Sequence, residues 1–305
     1  MPPTPLTLLE PLHRQHVTHS LLSPHGRLLD LRQPQVMGIL NITPDSFYAG
    51  SRLGPATEAE VLARAEAMLA AGATALDVGG YSSRPGADDI SPAEEKRRLL
   101  PALAALRRAF PQAFLSVDTF RAEVAAEAVA TGADLVNDIG GGTLDADMLA
   151  TVARLRVPYC LMHTKGTPQT MRSLAHYEED LVLTILRFFR DQLAALRTAN
   201  GGQPLRDVLL DPGFGFAKTP THNHELLRRL PELAPLGHGL LVGLSRKAMV
   251  YKPLGLAPEA ALNGTTALHM LALQGGARLL RVHDVPEARQ TVLLFQNTFD
   301  ILITG

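Results

Sequence analysis

Three acceptor side chains, Asp118, Asn137 and Asp211, each end a short apolar run: LSVD, LVN and VLLD. Carboxylate and carboxamide oxygens brought into one cup from separate segments suit the donor-rich edge of a flat heterocycle, since buried acceptors need partners of fixed geometry. Taken singly, each fits equally the role of capping the helix that follows it. Cationic groups recur in the same positions. Ser245-Arg246-Lys247 closes one apolar run and Arg281-Val282-His283-Asp284 closes another. Alternation along a strand puts Arg281 and His283 on one face, and two such donors beside Arg84 make a local anion site. Surface ion pairing is the ordinary alternative for Arg246.

Two loops add to this set. Asn41-Ile42-Thr43-Pro44-Asp45-Ser46-Phe47 carries an amide, a carboxylate and two hydroxyls around a fixed proline. Such an oxygen-rich loop suits Mg²⁺, which keeps several waters and favours phosphate as co-ligand, although a plain turn explains the segment by itself. Gly79-Gly80-Tyr81-Ser82-Ser83-Arg84-Pro85-Gly86 presents Arg84 on a tightly turned loop, as a phosphate lid would, or as an exposed arginine would.

Three look-alikes fail on their own chemistry. Asp211-Pro212-Gly213-Phe214-Gly215-Phe216-Ala217-Lys218 lacks the Gly-Lys-Ser/Thr ending of a phosphate loop, and its phenylalanines fit an aromatic wall better. Asp138-Ile139-Gly140-Gly141-Gly142-Thr143 echoes an actin-like ATPase loop, but a strand should follow there, whereas residues 144–155 have helical spacing. His163 has no ligand partner at short helical spacing, and His222 with His224 in a loop makes a poor zinc site; capping or solvated histidines are expected.

What must position these groups is legible in the rhythm of the chain. From Val36 on, eight runs rich in Val, Ile and Leu alternate with amphipathic segments: residues 36–42, 75–79, 115–119, 135–139, 158–163, 208–213, 240–245 and 279–284. That alternation predicts βα units around a parallel sheet, and the polar residue at the end of nearly every run predicts that all eight ends share one mouth, as in a (β/α)₈ TIM barrel. Helix capping cannot comfortably account for the whole set. The helix over residues 174–200 stops at Asn200-Gly201-Gly202; the rhythm resumes at Asp207 with no linker, so one unbroken barrel domain over residues 36–305 is expected. Residues 1–35 form an extension in which His25-Gly26 turns a hairpin between Leu21 and Leu31, covering one end of the barrel.

Composition narrows the function classes. With 46% hydrophobic and 19% charged residues the chain can bury a sizeable core. A formal charge of −1 from 29 basic and 30 acidic residues removes the cationic field that nonspecific nucleic-acid or membrane binding needs, so any anion is bound locally. Cys160 is the only cysteine, which excludes an intrachain disulfide; its apolar setting reads as a buried structural thiol, compatible with the cytoplasm. Residues 1–10 do not read as a signal peptide, and no apolar stretch approaches a membrane span of about 20 residues, so a soluble protein is expected.

The ordered set VMGILNITPDSF, GGYSSRPGA, SVDTF, VNDI, DPGFGFAK, VGLSRK and RVHDV resembles dihydropteroate synthase over about residues 36–292. The resemblance implies an enzyme of folate biosynthesis: a transferase that condenses a dihydropterin methyl diphosphate with 4-aminobenzoate and releases diphosphate. It implies that Asn41 ligates Mg²⁺, that Arg281 and His283 hold the diphosphate, and that Asp118, Asn137, Asp211 and Lys247 bind the pterin with Met162 packed on its ring. Ser83, Arg84, Pro85, Phe216, Gly243, Ser245 and Lys247 would line the substrate site, with Phe47 closing over it. Asp118, Lys247, Arg281 and His283 carry the catalytic roles. The resemblance also implies a homodimer through the last two helices and a target of sulfonamides.

The chain departs from the family pattern Gly-Gly-Glu-Ser-Thr-Arg-Pro-Gly at Tyr81, which replaces an acid, and at Ser83, which replaces a threonine and keeps its hydroxyl; Ala217 stands for a usual glycine. Rival readings are a methyltetrahydrofolate-dependent corrinoid methyltransferase, which shares the pterin barrel but needs no diphosphate site, and a non-catalytic pterin-binding paralogue. Arg84, Lys247, Arg281 and His283 together favour the synthase over the first, and Asn41, Ser83 and Arg84 over the second.

Overall fold

A computed structural model of the chain describes residues 20–42, 57–82 and 89–299. Two short antiparallel strands, β1 (Ser20–Leu22) and β2 (Leu28–Asp30), come first. The barrel strands are β3 (Gln35–Asn41), β4 (Ala75–Gly79), β5 (Phe114–Asp118), β6 (Leu135–Asp138), β7 (Tyr159–Met162), β8 (Val208–Asp211), β9 (Gly239–Val242) and β10 (Ala277–Val282). They pair in parallel in the closed order β10-β3-β4-β5-β6-β7-β8-β9, the barrel expected from the eight apolar runs, without a break after Asn200.

Helices α1 (Glu58–Ala70), α2 (Pro92–Ala109), α3 (Ala122–Thr131), α4 (Met148–Leu155), α5 (Leu181–Ala199), α6 (Pro220–Arg228), α7 (Ala248–Tyr251), α8 (Leu262–Gln274) and α9 (Val285–Thr298) lie between or after the strands. Their boundaries follow local chemistry. Thr57 and Glu60 form a capping box at the start of α1, each satisfying a backbone N–H of the other. The fifth helix begins at Leu181, not near Leu174, because the Asp180 carboxylate accepts from Leu183 N at 2.8 Å and fixes the first turn there. Residues 164–180 instead form turns that run over the mouth of the barrel.

The strand pleat sorts the core into two parts. Outward residues such as Val36, Leu40, Leu76, Val78, Leu115, Val117, Val136, Leu161, Leu210, Val242 and Leu280 pack under the helices. The lower inward layer of the barrel is apolar: Met37, Ala75, Phe114, Leu135, Cys160, Leu209, Leu241 and Leu279 form one buried cluster with Leu21, Leu29 and Leu31. The hairpin expected at His25-Gly26 therefore forms, with Gly26 at φ +80°, and it stoppers the barrel floor. Polar contacts fasten it: Arg27 Nε donates to Asp134 at 2.7 Å, His25 Nε2 meets Val129 O at 2.9 Å, and Leu22 N donates to Asp207 at 3.0 Å. Cys160 is buried in this floor, where burial pushes its thiol well above the ordinary range, so it is a structural residue. Among the described residues, no helix is long and apolar enough to cross a membrane.

Candidate functional site

Above the apolar floor the inward positions turn polar. By the same alternation, Ile39, Asp77, Ser116, Asn137, Met162, Asp211, Gly243 and Arg281 project into the barrel, with Asn41, Gly79, Asp118 and His283 nearer the rim. Register supports this: Asp77 lies opposite Ser116, Gly79 opposite Asp118, Asp118 opposite Asn137, and Met162 opposite Asp211. A Cβ on Gly79 would stand 3.3 Å from Asn41 Oδ1 and 3.5 Å from Asp118 Cβ, so glycine at this point lets the two polar side chains approach each other.

Asp77 holds the centre together. Its side chain is 0% exposed, and it accepts from Arg281 Nε at 2.5 Å, Asn137 Nδ2 at 3.0 Å and Ser116 Oγ at 2.5 Å. Arg281 Nη2 donates in turn to Asp118 at 2.6 Å, and the Asp118 side chain is 13% exposed. Two carboxylates thus flank one guanidinium, Asp77 from below and Asp118 from nearer the rim, satisfying charges that would otherwise be costly to bury. Burial lifts the Asp118 carboxyl above its ordinary range, against the pull of Arg281. The Asp211 carboxyl is raised by burial too, with Lys247 opposing and Gly213 N donating to it at 2.8 Å.

Lys247 faces this acidic cluster from the turn after β9. Its ammonium donates to Phe214 O at 2.5 Å and sits 4.6 Å from the centre of the Phe216 ring. Burial lowers its pKa to about 8, with Asp211 holding it up. Gly243 lies beside both cations: Arg281 Cβ and Lys247 Nζ are 3.8 and 4.0 Å from where its Cβ would stand. Ser245 Oγ accepts from His283 N at 3.3 Å and lies 3.2 Å from His283 Nδ1, joining the rims of β9 and β10. Met162 is buried beside Asp211 as an apolar neighbour for a flat ring.

Asn41, Asp118, Asn137, Met162, Asp211, Phe216, Gly243, Ser245, Lys247, Arg281 and His283 therefore gather at one end of the barrel. Phe47, Ser83, Arg84 and Pro85 lie outside the described residues. Arg246 turns away and makes the ion pair that is its ordinary alternative, donating twice to Asp284 at 2.8 Å. His222 and His224 lie on helix α6 and not in a loop as expected: His222 caps the helix with Thr219, and His224 Nε2 meets Met249 O at 3.0 Å; His163, expected to be capping or solvated, is buried. Asp138 secures its own turn, accepting from Gly140 N at 2.6 Å, Gly142 N at 2.7 Å and Tyr159 Oη at 2.6 Å, which accounts for the ATPase-like motif.

Two residues of the site were given no role by sequence reasoning. Asp77 lies inside the apolar run 75–79, and its place between outward Leu76 and Val78 is the signal that it points inward. Lys218 carries no such signal, and its position is described below. Tyr81, at the family's acidic position, is buried against Phe120 at 5.1 Å, lies under the Arg121 guanidinium at 5.2 Å and accepts from Gln169 Nε2 at 2.9 Å. The buried Glu95 pairs with Arg121 at 2.6 Å.

Known proteins match this arrangement. A family described as pterin binding enzyme covers residues 37–283. The dihydropteroate synthase of Escherichia coli (strain K12) is 40% identical over 277 residues, which is 91% of this chain and 96% of that protein. The one from Synechocystis sp. is 44% identical over 260 residues, 85% of this chain and 88% of its own. Among solved structures, the Yersinia pestis dihydropteroate synthase with a sulfonamide drug complex has a TM-score of 0.84 at 41% identity, covering 92% of this chain and 99% of its own. The Xanthomonas albilineans dihydropteroate synthase with 4-aminobenzoic acid has a TM-score of 0.81 at 40% identity, covering 91% and 98%. A barrel whose floor is apolar and whose mouth gathers Asp118, Asn137, Asp211, Lys247 and Arg281, matched over most of its length by these proteins, belongs to the dihydropteroate synthase family of pterin binding enzymes.

Proposed function

We propose that this chain condenses (7,8-dihydropterin-6-yl)methyl diphosphate with 4-aminobenzoate, giving 7,8-dihydropteroate and diphosphate in folate biosynthesis. The observation that carries the reading is the juxtaposition of Arg281, Lys247, Asp118, Asn137 and Asp211 in one cup within a chain of this family. Asp118, Asn137, Asp211 and Lys247 take the polar edge of the pterin, and Met162 packs on its face. Phe216, Ser245 and Lys247, with Ser83, Arg84, Pro85 and Phe47, receive the aminobenzoate.

The chemistry is a substitution at the pterin methylene. The C–O bond to diphosphate breaks, the neutral arylamine forms the new C–N bond, and its surplus proton leaves to solvent. Arg281 and His283 stabilise charge on the departing oxygen, and Asp118 offers negative charge near the electron-poor pterin. No covalent enzyme intermediate is required, so the residues act by orientation and electrostatics.

A divalent cation fits the rim. Asn41 offers one neutral amide oxygen there, and among the described residues no group of three or more His, Cys, Asp or Glu side chains could hold a metal. One protein oxygen suits Mg²⁺, which Asn41 would hold with water and diphosphate, and the ion would neutralise charge on the leaving group. A homodimer is part of the same proposal, supported by the exposed Leu271 of α8, Leu293 and Leu294 of α9 and Phe299. So is a cytoplasmic location, which a buried free thiol suits. Diphosphate release measured with and without 4-aminobenzoate and Mg²⁺ tests the function: release that depends on both supports it, and release indifferent to both refutes it.

A further inference from the structure

The loop joining β8 to α6, residues 211–218, contains a buried cation that no step above uses. Three of its residues occupy the left-handed region: Gly213 at φ +72°, Gly215 at +81° and Ala217 at +46°. A chain turned this way forms few bonds of its own, and Phe216 N to Gly213 O at 3.1 Å closes a single turn. The Lys218 ammonium fills the inside of that turn. It donates to Gly213 O at 3.0 Å and Phe216 O at 3.1 Å, and it lies 2.9 Å from His163 Nδ1. All three of its donors are therefore occupied in a residue only 7% exposed.

His163 stands just past β7, with its ring edge-on to Phe188 at 4.9 Å. Burial lowers the pKa of both partners, His163 well below the usual range and Lys218 to about 7, and His163 Nδ1 lies within hydrogen-bond distance of Lys218 Nζ. The backbone comes close as well: a Cβ on Gly213 would fall 2.0 Å from His163 O. The ammonium thus staples the loop to the neighbouring strand from within.

The other side of the same loop touches the site at three points. Gly213 N donates to Asp211 at 2.8 Å, Phe214 O accepts from Lys247 at 2.5 Å, and the Phe216 ring lies beneath the Lys247 ammonium. Any drift of residues 213–216 would move Phe216 and Lys247 together. We infer that Lys218, seated on His163, is a positioning residue that sets the arylamine-facing wall of the site through the backbone of residues 213–216. This inference rests on the function proposed above for the role of that wall, but the staple itself can be tested without it.

The test pairs hydrogen exchange with steady-state kinetics on the full chain, for Lys218→Met, which keeps length and removes the donors, and Lys218→Gln, which keeps two N–H donors on a shorter side chain. Amide exchange over residues 212–218 should rise while β3 to β5 stay protected. The KM for 4-aminobenzoate should rise about tenfold with kcat nearly unchanged, and Lys218→Gln should fall between Lys218→Met and the parent. Unchanged exchange and KM, even with a lowered melting temperature, would overturn the inference and leave Lys218 a stabilising residue only. Should Lys218→Met fail to fold, Lys218→Gln gives both readings. A parent enzyme that makes no dihydropteroate would refute the proposed function, while the exchange data would still decide whether Lys218 holds the loop.

Discussion

The carboxylate of Asp77 accepts the Nε proton of Arg281 at 2.5 Å, joining β4 to β10 across the intervening strand β3. Arg281 is thereby aimed before any ligand contact. Because Asp77 is fully enclosed and Asp118 is partly open, the two partners of one guanidinium should differ in their effect on folding. Removing one side of a buried pair leaves an uncompensated charge, so Asp77→Ala should lose about 3 kcal/mol of stability in urea unfolding. Asp118→Ala should lose less than half of that. Equal losses would mean that burial does not set the strength of the Arg281 anchors.

Asp118 faces the cup, and its raised carboxyl remains bound to Arg281. Asp118→Asn keeps the shape and loses the charge. Calorimetry should show pterin binding weakened by about tenfold or more, in line with the loss of a charged hydrogen bond, and 4-aminobenzoate binding little changed. Equal losses for the two ligands would remove Asp118 from the pterin edge.

Arg281→Ala removes the donor set against the leaving group. Turnover should fall by at least roughly 2 kcal/mol of transition-state stabilisation, about thirtyfold in kcat. An unaltered kcat would take Arg281 out of the diphosphate site.

Lys247 loses its proton near pH 8, since burial lowers it and Asp211 only partly compensates. The group is a cation below that pH and neutral above it, so on the alkaline side kcat/KM should decline tenfold per unit beyond about pH 8. Lys247→Arg, which cannot deprotonate in this range, should carry the residual activity without that limb. A limb that persists in the variant would assign the titration elsewhere.

Ala217 holds φ +46°, in the left-handed region that favours glycine. The left-handed region costs an L-residue about 1–2 kcal/mol, partly offset by glycine's greater freedom when unfolded. Ala217→Gly should therefore raise stability by about 0.5–1 kcal/mol in thermal or urea unfolding. A loss of stability would show that the Ala217 methyl group packs better than its backbone strain suggests.

Much of this molecule could be read from residue order. Strand positions were legible to within a few residues because fully buried parallel strands leave near-continuous apolar runs, and the shared mouth followed from the polar residue after each run. What could not be read were contacts whose partners are remote in the chain. Asp77 and Arg281 are 204 residues apart, and Lys218 and His163 are 55 apart, so neither pairing leaves a local pattern. The start of α5 was missed for a different reason: residues 174–180 keep a helical spacing, and only the Asp180 cap reveals that the helix begins after them. Arg281 illustrates both cases, since its direction was predictable from the pleat and its restraint by two acids was not.

Among the described residues, the hairpin seated on Leu21, Leu29 and Leu31 closes one end of the barrel and leaves the polar cup at the other. Asn137 lies on the same side of that floor as His283 and Phe216. Under the function proposed above, the reactant lodged deepest would have to be loaded before its partner, and the joined product would leave through the place the second reactant had held.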